Sequence, residues 1–156
     1  MSKKVYTLDA QNKRALMGEI FDLVTAGIAR YGQIQLSLGQ VKKSYIQQAK
    51  YHAIIGDIAD TVTLGEIRYS LKVWKAKLVV DFEAELEKLG EPLTSKGQWT
   101  MSLKNQFPIY LRPSTTDFTV PEAAKFIEYL YATGIEYGAT FTDQSMAIYA
   151  EYREAA

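Results

Sequence analysis

Lys42, Lys43 and Lys50 surround the point where the sequence predicts a helix to begin. Ser44-Tyr-Ile-Gln47 fits a capping box, in which a serine oxygen receives a backbone N–H three residues on and a glutamine reaches back. A helix N-terminus carries partial positive charge and favours acidic neighbours. Lysines there have the wrong sign for helix stability and the right sign for an external anion such as phosphate. Gln47 shares a helical stripe with Tyr51, Ile54 and Ile58, so it is either a capping side chain or a ligand. The lysines are either a solvated loop or phosphate contacts. Tyr51 and Tyr45 offer rings on which a base could stack.

Two further groups carry the same chemistry. Arg68, Lys72 and Lys75 recur at i, i+4 and i+7, one stripe of the third helix. Such a stripe either tracks a row of phosphates or is a solvated face that pairs internally, for example Lys77 with Asp81. Arg112-Pro-Ser-Thr-Thr116 lies between a predicted strand and a predicted helix start. The Arg112 guanidinium and the Ser114, Thr115 and Thr116 hydroxyls can hold phosphate oxygens, although Ser and Thr are also common loop residues.

Catalytic chemistry has less to stand on. The chain has no cysteine, which removes disulfides, thiolate metal sites and cysteine nucleophiles. Its one histidine, His52, sits beside an apolar stripe and reads as a packing or stacking residue rather than a general base. Asp57 and Asp60, three apart, read as a solvated acidic face before they read as a Mg²⁺ pair. No phosphate-loop, nucleophile-elbow or His-Glu-x-x-His motif occurs, and nothing calls for a cofactor. Lys+Arg and Asp+Glu both number 18, so an attraction to nucleic acid must be local rather than global. Charge is uneven along the chain: residues 1–50 hold eight basic and three acidic residues, residues 51–100 six and eight, residues 101–156 four and seven. No run of 18 apolar residues occurs and no apolar leader opens the sequence, so we expect a soluble intracellular protein with no membrane association.

These residues need elements to position them. The 156 residues, 47% hydrophobic and 23% charged, suit one domain with a real core. Lys4–Leu8 and Gln33–Leu38 alternate like short strands on either side of a helix from Ala10 to Arg30, capped by Asp9. In that helix Leu16, Ile20, Leu23, Val24 and Ile28 face inward. After the Ser44 helix, with Tyr51, Ile54, Ile55, Ile58 and Val62 inward, a third helix runs from Ser70 to Leu89 on Leu71, Trp74, Leu78, Phe82 and Leu89. Gln98–Leu103 and Phe107–Leu111 read as a hairpin or two short strands. Thr119-Val-Pro-Glu122 is a second capping box, opening a helix that ends near Gly134 or Gly138. A last helix spans Asp143 to Arg153. The expectation is a single α/β (α+β) domain over residues 1–156, with a small mixed sheet packed with about five helices.

Lys43-Ser-Tyr-Ile-Gln47 and Gly56-Asp57-Ile58 resemble the signature of the NinB family of phage recombination proteins. In that family an arginine, a serine, a glutamine and a Gly-Asp-aliphatic run stand in this order. Trp74-Lys75, Ser114-Thr-Thr116, Val120-Pro-Glu122, Gly134-Ile-Glu-Tyr-Gly138 and Asp143 match further family positions, in order, from about residue 41 to 143. The family's asparagine after the glutamine is Gln48 here, the arginine after that is Ala49, and an arginine that follows the hydroxyl loop is Asp117. The resemblance implies a homodimeric, non-catalytic recombination mediator in the cytoplasm of a bacterial host. It would bind single-stranded DNA and work with single-strand-binding protein to load a recombinase or annealing protein. It implies a DNA surface built from the glutamine-bearing helix start and the Ser-Thr loop. The competing reading is a protein-interaction module that acts on single-strand-binding protein with little DNA affinity of its own. A structure-specific nuclease stands third.

Overall fold

Asp9 starts the first helix from outside it. Its carboxylate accepts the backbone N–H groups of Gln11 and Asn12, both at 2.8 Å, and Asn12 Oδ1 accepts the Asp9 N–H at 2.8 Å. The aspartate is therefore used on a turn, and α1 (Lys13–Tyr31) begins after it. Gly32, at φ +79°, ends the helix in a conformation open to glycine and returns its N–H to the Ile28 carbonyl. The computed structural model describes residues 4–39 and 43–155, the side chains of residues 43–45 and 155 excepted. It divides after Lys42 into an N-terminal unit around α1 and a larger unit.

The N-terminal unit corrects the strand–helix–strand expectation. Residues 4–8 and 33–38 are irregular rather than β-strands. Of their apolar residues Val5, Leu36 and Leu38 are exposed, and the contacts with α1 come from Tyr6 and Ile34. The Tyr6 hydroxyl donates to Glu19 at 2.9 Å. Ile34 lies so close to Gly27 that a Cβ there would be 3.0 Å from it. Leu16, Ile20, Leu23 and Val24 are half-buried as expected, whereas Ile28 is exposed.

The larger unit contains α2 (Lys43–Thr61), α3 (Leu71–Lys88), β1 (Gln98–Met101), β2 (Pro108–Leu111), a 3-10 turn (Thr115–Asp117), α4 (Val120–Glu136) and α5 (Asp143–Ala155). The described chain is thus of the expected α+β class, with five α-helices. Its sheet is antiparallel rather than mixed, with Trp99 opposite Tyr110 and Met101 opposite Pro108. No helix among the described residues is long and apolar enough to cross a membrane.

α2 is the centre of this unit and packs on α3, α4, α5 and the 3-10 turn. Tyr51, Ile54, Ile55, Ile58 and Val62 meet Trp74, Leu78, Phe82 and Leu86 of α3 and Phe126, Ile127 and Leu130 of α4. Leu89 lies outside this core because α3 ends before it, and it is exposed. Gly134 lets α4 approach: a Cβ there would be 2.5 Å from Phe141 and 3.2 Å from Ile58. A tight turn joins α2 to α3, with reciprocal backbone bonds between Leu64 and Ile67 and Gly65 at φ +63°. Asp57 is buried, not solvated: its Oδ2 accepts the Thr142 N–H at 2.8 Å and the Thr142 hydroxyl at 2.9 Å, fixing the start of α5.

The Thr119 capping box forms as the sequence predicts, and Glu122 does more than cap. Its carboxylate accepts the Thr119 N–H at 2.8 Å, and the Thr94 N–H and hydroxyl at 2.7 and 2.9 Å, tying the chain before β1 to α4. Burial alone raises the pKa of Glu122, but these donors outweigh it and hold the group below its ordinary value. The folded state thus binds fewer protons than the unfolded chain, so this stabilisation is present above the unfolded value and is lost as pH falls. Glu122→Gln is expected to lower stability by about 0.5–2 kcal/mol at pH 7. The difference from the parent chain should shrink as pH drops below 4.5, checked by urea unfolding across pH.

Candidate nucleic-acid interface

The helical repeat of α2 decides which glutamine faces the site. Gln47 lies on the Tyr51–Ile54–Ile58 stripe, and that stripe is the core face. Gln48, about 100° further round the helix, faces α3 and the loop after β2. Its Oε1 accepts the Lys75 ammonium at 3.1 Å and the Thr115 hydroxyl at 2.7 Å. Three elements thus meet on one side-chain carbonyl. The amide nitrogen of Gln48 is shielded from solvent and has no hydrogen-bond partner. An unmet donor of this kind costs about 1–3 kcal/mol.

Lys75 is half-buried and Thr115 is buried. Burial, and then the nearby Arg112 guanidinium, pull the pKa of Lys75 below its ordinary value. Arg112 follows β2 directly and donates to the Pro113 carbonyl at 3.2 Å. The ion pairs among the described residues are Lys50–Glu151, Lys96–Glu87 and Lys125–Glu91, so none of them neutralises Lys75 or Arg112. His52, one turn beyond Gln48 and exposed, is held below its ordinary pKa by the desolvation it retains and by Lys75. The cluster is rich in donors: an ammonium, a guanidinium and an amide NH₂ together, with a single side-chain carbonyl to receive them. Such a set accepts an anion or a carbonyl-bearing base edge.

The loop after Arg112 is tied to itself. Ser114 caps the 3-10 turn by accepting the Thr116 N–H at 3.3 Å, and the Ser114 and Thr116 hydroxyls lie 2.7 Å apart. Both residues are exposed.

Several sequence expectations resolve differently. Lys42 lies outside the described residues, as do the side chains of Lys43, Ser44 and Tyr45. The backbone is helical from Lys43 onward, so Ser44 sits inside the first turn and the Ser44–Gln47 capping box is not the start of α2. Lys50 pairs with Glu151 at 3.3 Å rather than standing free. Tyr51 is fully buried with its ring edge-on to Phe126, so it stacks on the core and not on a base. Burial pushes its hydroxyl up to about 12, and nearby Gln47 offsets part of that rise without reaching hydrogen-bond geometry. Arg68 precedes the Ser70 cap of α3, which breaks the predicted stripe. It lines a groove of about 410 Å³ with Asp60 and Tyr69, while Lys72 stays exposed on α3. Lys77 covers the Tyr69 ring at 5.0 Å instead of pairing with Asp81.

The fold is similar to that of a solved NinB structure. That structure, described as "Structural Genomics, NinB", aligns over 92% of this chain and 99% of its own, at 19% identity and a TM-score of 0.56. At that identity the likeness is one of fold. No family model matches the chain. No curated protein matches it either. Within this NinB-like fold Lys75 and Thr115 meet on Gln48, with Arg112 near enough to disfavour the charged form of Lys75. Asp117 is exposed at the end of the 3-10 turn and makes none of the described ion pairs.

Proposed function

We propose that this chain is a phage or prophage recombination accessory protein that binds single-stranded DNA through the cluster of Gln48, Lys75, Arg112 and Thr115, and does not cleave it. The observation that carries the reading is two cations brought together from α3 and the loop after β2, without a carboxylate partner among the described ion pairs. Phosphate oxygens would neutralise both. The NinB-like fold supports a role in recombination. In that role the protein acts as a homodimer in the bacterial cytoplasm, alongside single-strand-binding protein, and helps to load a recombinase or annealing protein. Lys43, next to the cluster in sequence, and the exposed Lys72 on α3 add positive charge beside it, whereas Gln47, on the core face of α2, is not part of this surface.

The second reading, a protein-interaction module, has one observation in its favour. Within the N-terminal unit Met17, Phe21, Tyr31 and Leu36 are exposed, Phe21 by 69%. Apolar side chains of this size favour protein partners over DNA.

Gln48→Ala separates these readings. A ligand role predicts a loss of single-stranded DNA affinity on the order of tenfold by fluorescence anisotropy. Melting should fall as well, because the buried Thr115 hydroxyl and the half-buried Lys75 ammonium lose their acceptor, so affinity is compared per folded molecule. Gln47→Ala should leave affinity unchanged. Unchanged affinity in Gln48→Ala beside weakened binding of single-strand-binding protein would favour the interaction module.

A further inference from the structure

Among the described residues the cluster offers little ring surface beyond the His52 imidazole beside Lys75. Tyr51 is buried, and Tyr131 is buried with its hydroxyl donating to the Ser145 carbonyl. An open aromatic surface stands instead on the β1–β2 hairpin, which leads directly into Arg112. Trp99 is 70% exposed there. It sits opposite Tyr110 in the strand register, with ring centroids 5.0 Å apart.

Tyr110 is not free to move. Its hydroxyl donates to the Glu83 carboxylate on α3, which also accepts the Gly97 N–H at 3.0 Å. A Cβ at Gly97 would run into the Tyr110 ring and hydroxyl, so this close seat requires glycine. The hairpin base is thereby fixed to α3, and Trp99 is presented outward on a rigid prop.

The hairpin's own charge has one sign, although Glu83 and Glu87 of α3 lie beneath Tyr110. Residues 92–116 contain Lys96, Lys104 and Arg112 and no Asp or Glu. Lys96 is engaged by Glu87 of α3, whereas Lys104 at the hairpin tip and Arg112 at its base make none of the described ion pairs. An exposed ring between two such cations matches the pattern of single-stranded nucleic acid, a π-face beside a phosphate chain.

We propose that the β1–β2 hairpin is a base-stacking site for single-stranded nucleic acid, with Trp99 as the platform, Tyr110 as its support and Lys104 and Arg112 flanking it toward the backbone. This rests on the DNA-binding reading and extends that surface from the cluster along the hairpin. Stacking on one ring tolerates every base, so the site adds affinity without sequence preference.

The two tryptophans make the test direct, because Trp74 is buried and Trp99 is not. The full chain is titrated with unlabelled oligo-dT while tryptophan emission is followed, and with labelled oligo-dT by anisotropy. Quenching of the solvent-exposed emission is expected, and its absence in Trp99→Phe. Trp99→Ala should weaken binding on the order of tenfold, and Trp99→Phe much less. Trp99→Phe keeps the aromatic pair with Tyr110, so it guards against a result that only reports a misfolded hairpin. Binding by anisotropy with unquenched Trp99 and unchanged affinity in both variants would overturn the stacking site and leave DNA binding intact. No anisotropy change with the parent chain would instead overturn the DNA-binding reading, and the stacking site with it. A particle that falls to half its mass on Trp99→Ala, with DNA affinity unchanged, would overturn the proposal in favour of self-association through the hairpin.

Discussion

Replacing Lys75 and Arg112 together by glutamine is expected to weaken single-stranded DNA binding on the order of 30-fold near 0.1 M salt. The slope of log affinity against log salt should fall by roughly 0.7 for each phosphate the protein no longer neutralises. Three features of the site place the largest binding effect here. Lys75 is held to Gln48 at 3.1 Å, so little further side-chain freedom is given up when a phosphate arrives. Its half-burial strengthens any charge interaction relative to a fully solvated lysine. Neither cation makes a described ion pair that a phosphate would have to displace. The folded state should tolerate the change, since Arg112 disfavours the charged form of Lys75. Lys50→Ala is the contrast: its ammonium is engaged by an exposed glutamate, a pair worth at most about 1 kcal/mol, and its removal should alter binding only slightly. Anisotropy titrations of the two variants across a salt series check both statements.

The largest stability effect should come from Phe126. Its ring is fully buried and contacts Tyr51 and Phe82 at 5.0 Å and Phe118 at 5.3 Å, joining α2, α3, α4 and the segment before α4. Phe126→Ala removes this packing surface and leaves a cavity that the surrounding rings can only partly fill, at a cost of about 3–5 kcal/mol. Leu89→Ala, at a position the sequence pattern also assigns to the core, should change stability by no more than about 0.5 kcal/mol, because Leu89 is exposed at the helix end. Urea unfolding of the two variants measures the difference. Equal effects would contradict the placement of the core.

The helices of the larger unit are legible in the sequence because several carry their own punctuation. Ser70 accepts the Val73 N–H, Thr119 and Glu122 close their box, and Gly138 at φ +82° follows the end of α4. The hairpin is legible from its two short β-prone runs. The N-terminal segments are not. Alternation over five or six residues is a short signal, and here Val5, Leu36 and Leu38 end up exposed with no partner strand among the described residues. Asp57 misleads for a related reason: a carboxylate three residues from another reads as solvated until Thr142, 85 residues away, supplies its donors.

The candidate site is legible in its charges and not in its hinge. Lys75, Arg112 and Thr115 stand out as cations and a hydroxyl in suggestive places. Gln48 carries no such mark beside Gln47. The signal that separates them is helical phase: a glutamine in register with Tyr51 and Ile58 is committed to the core side, and its neighbour is not. Tyr51 fails as a stacking residue on the same ground. Trp99 escapes notice because a strand tryptophan reads as core until the sheet proves to have only two strands, leaving that residue 70% exposed.

Fluorescence anisotropy of the parent chain with labelled single-stranded and duplex DNA, at low and moderate salt, tests the central claim most directly. Binding of the single strand is expected, weakening as salt rises, with the salt dependence reduced in the Lys75 and Arg112 double variant. A parent chain that leaves both DNAs tumbling freely at low salt, or a double variant that keeps full affinity and an unchanged salt slope, would contradict the account.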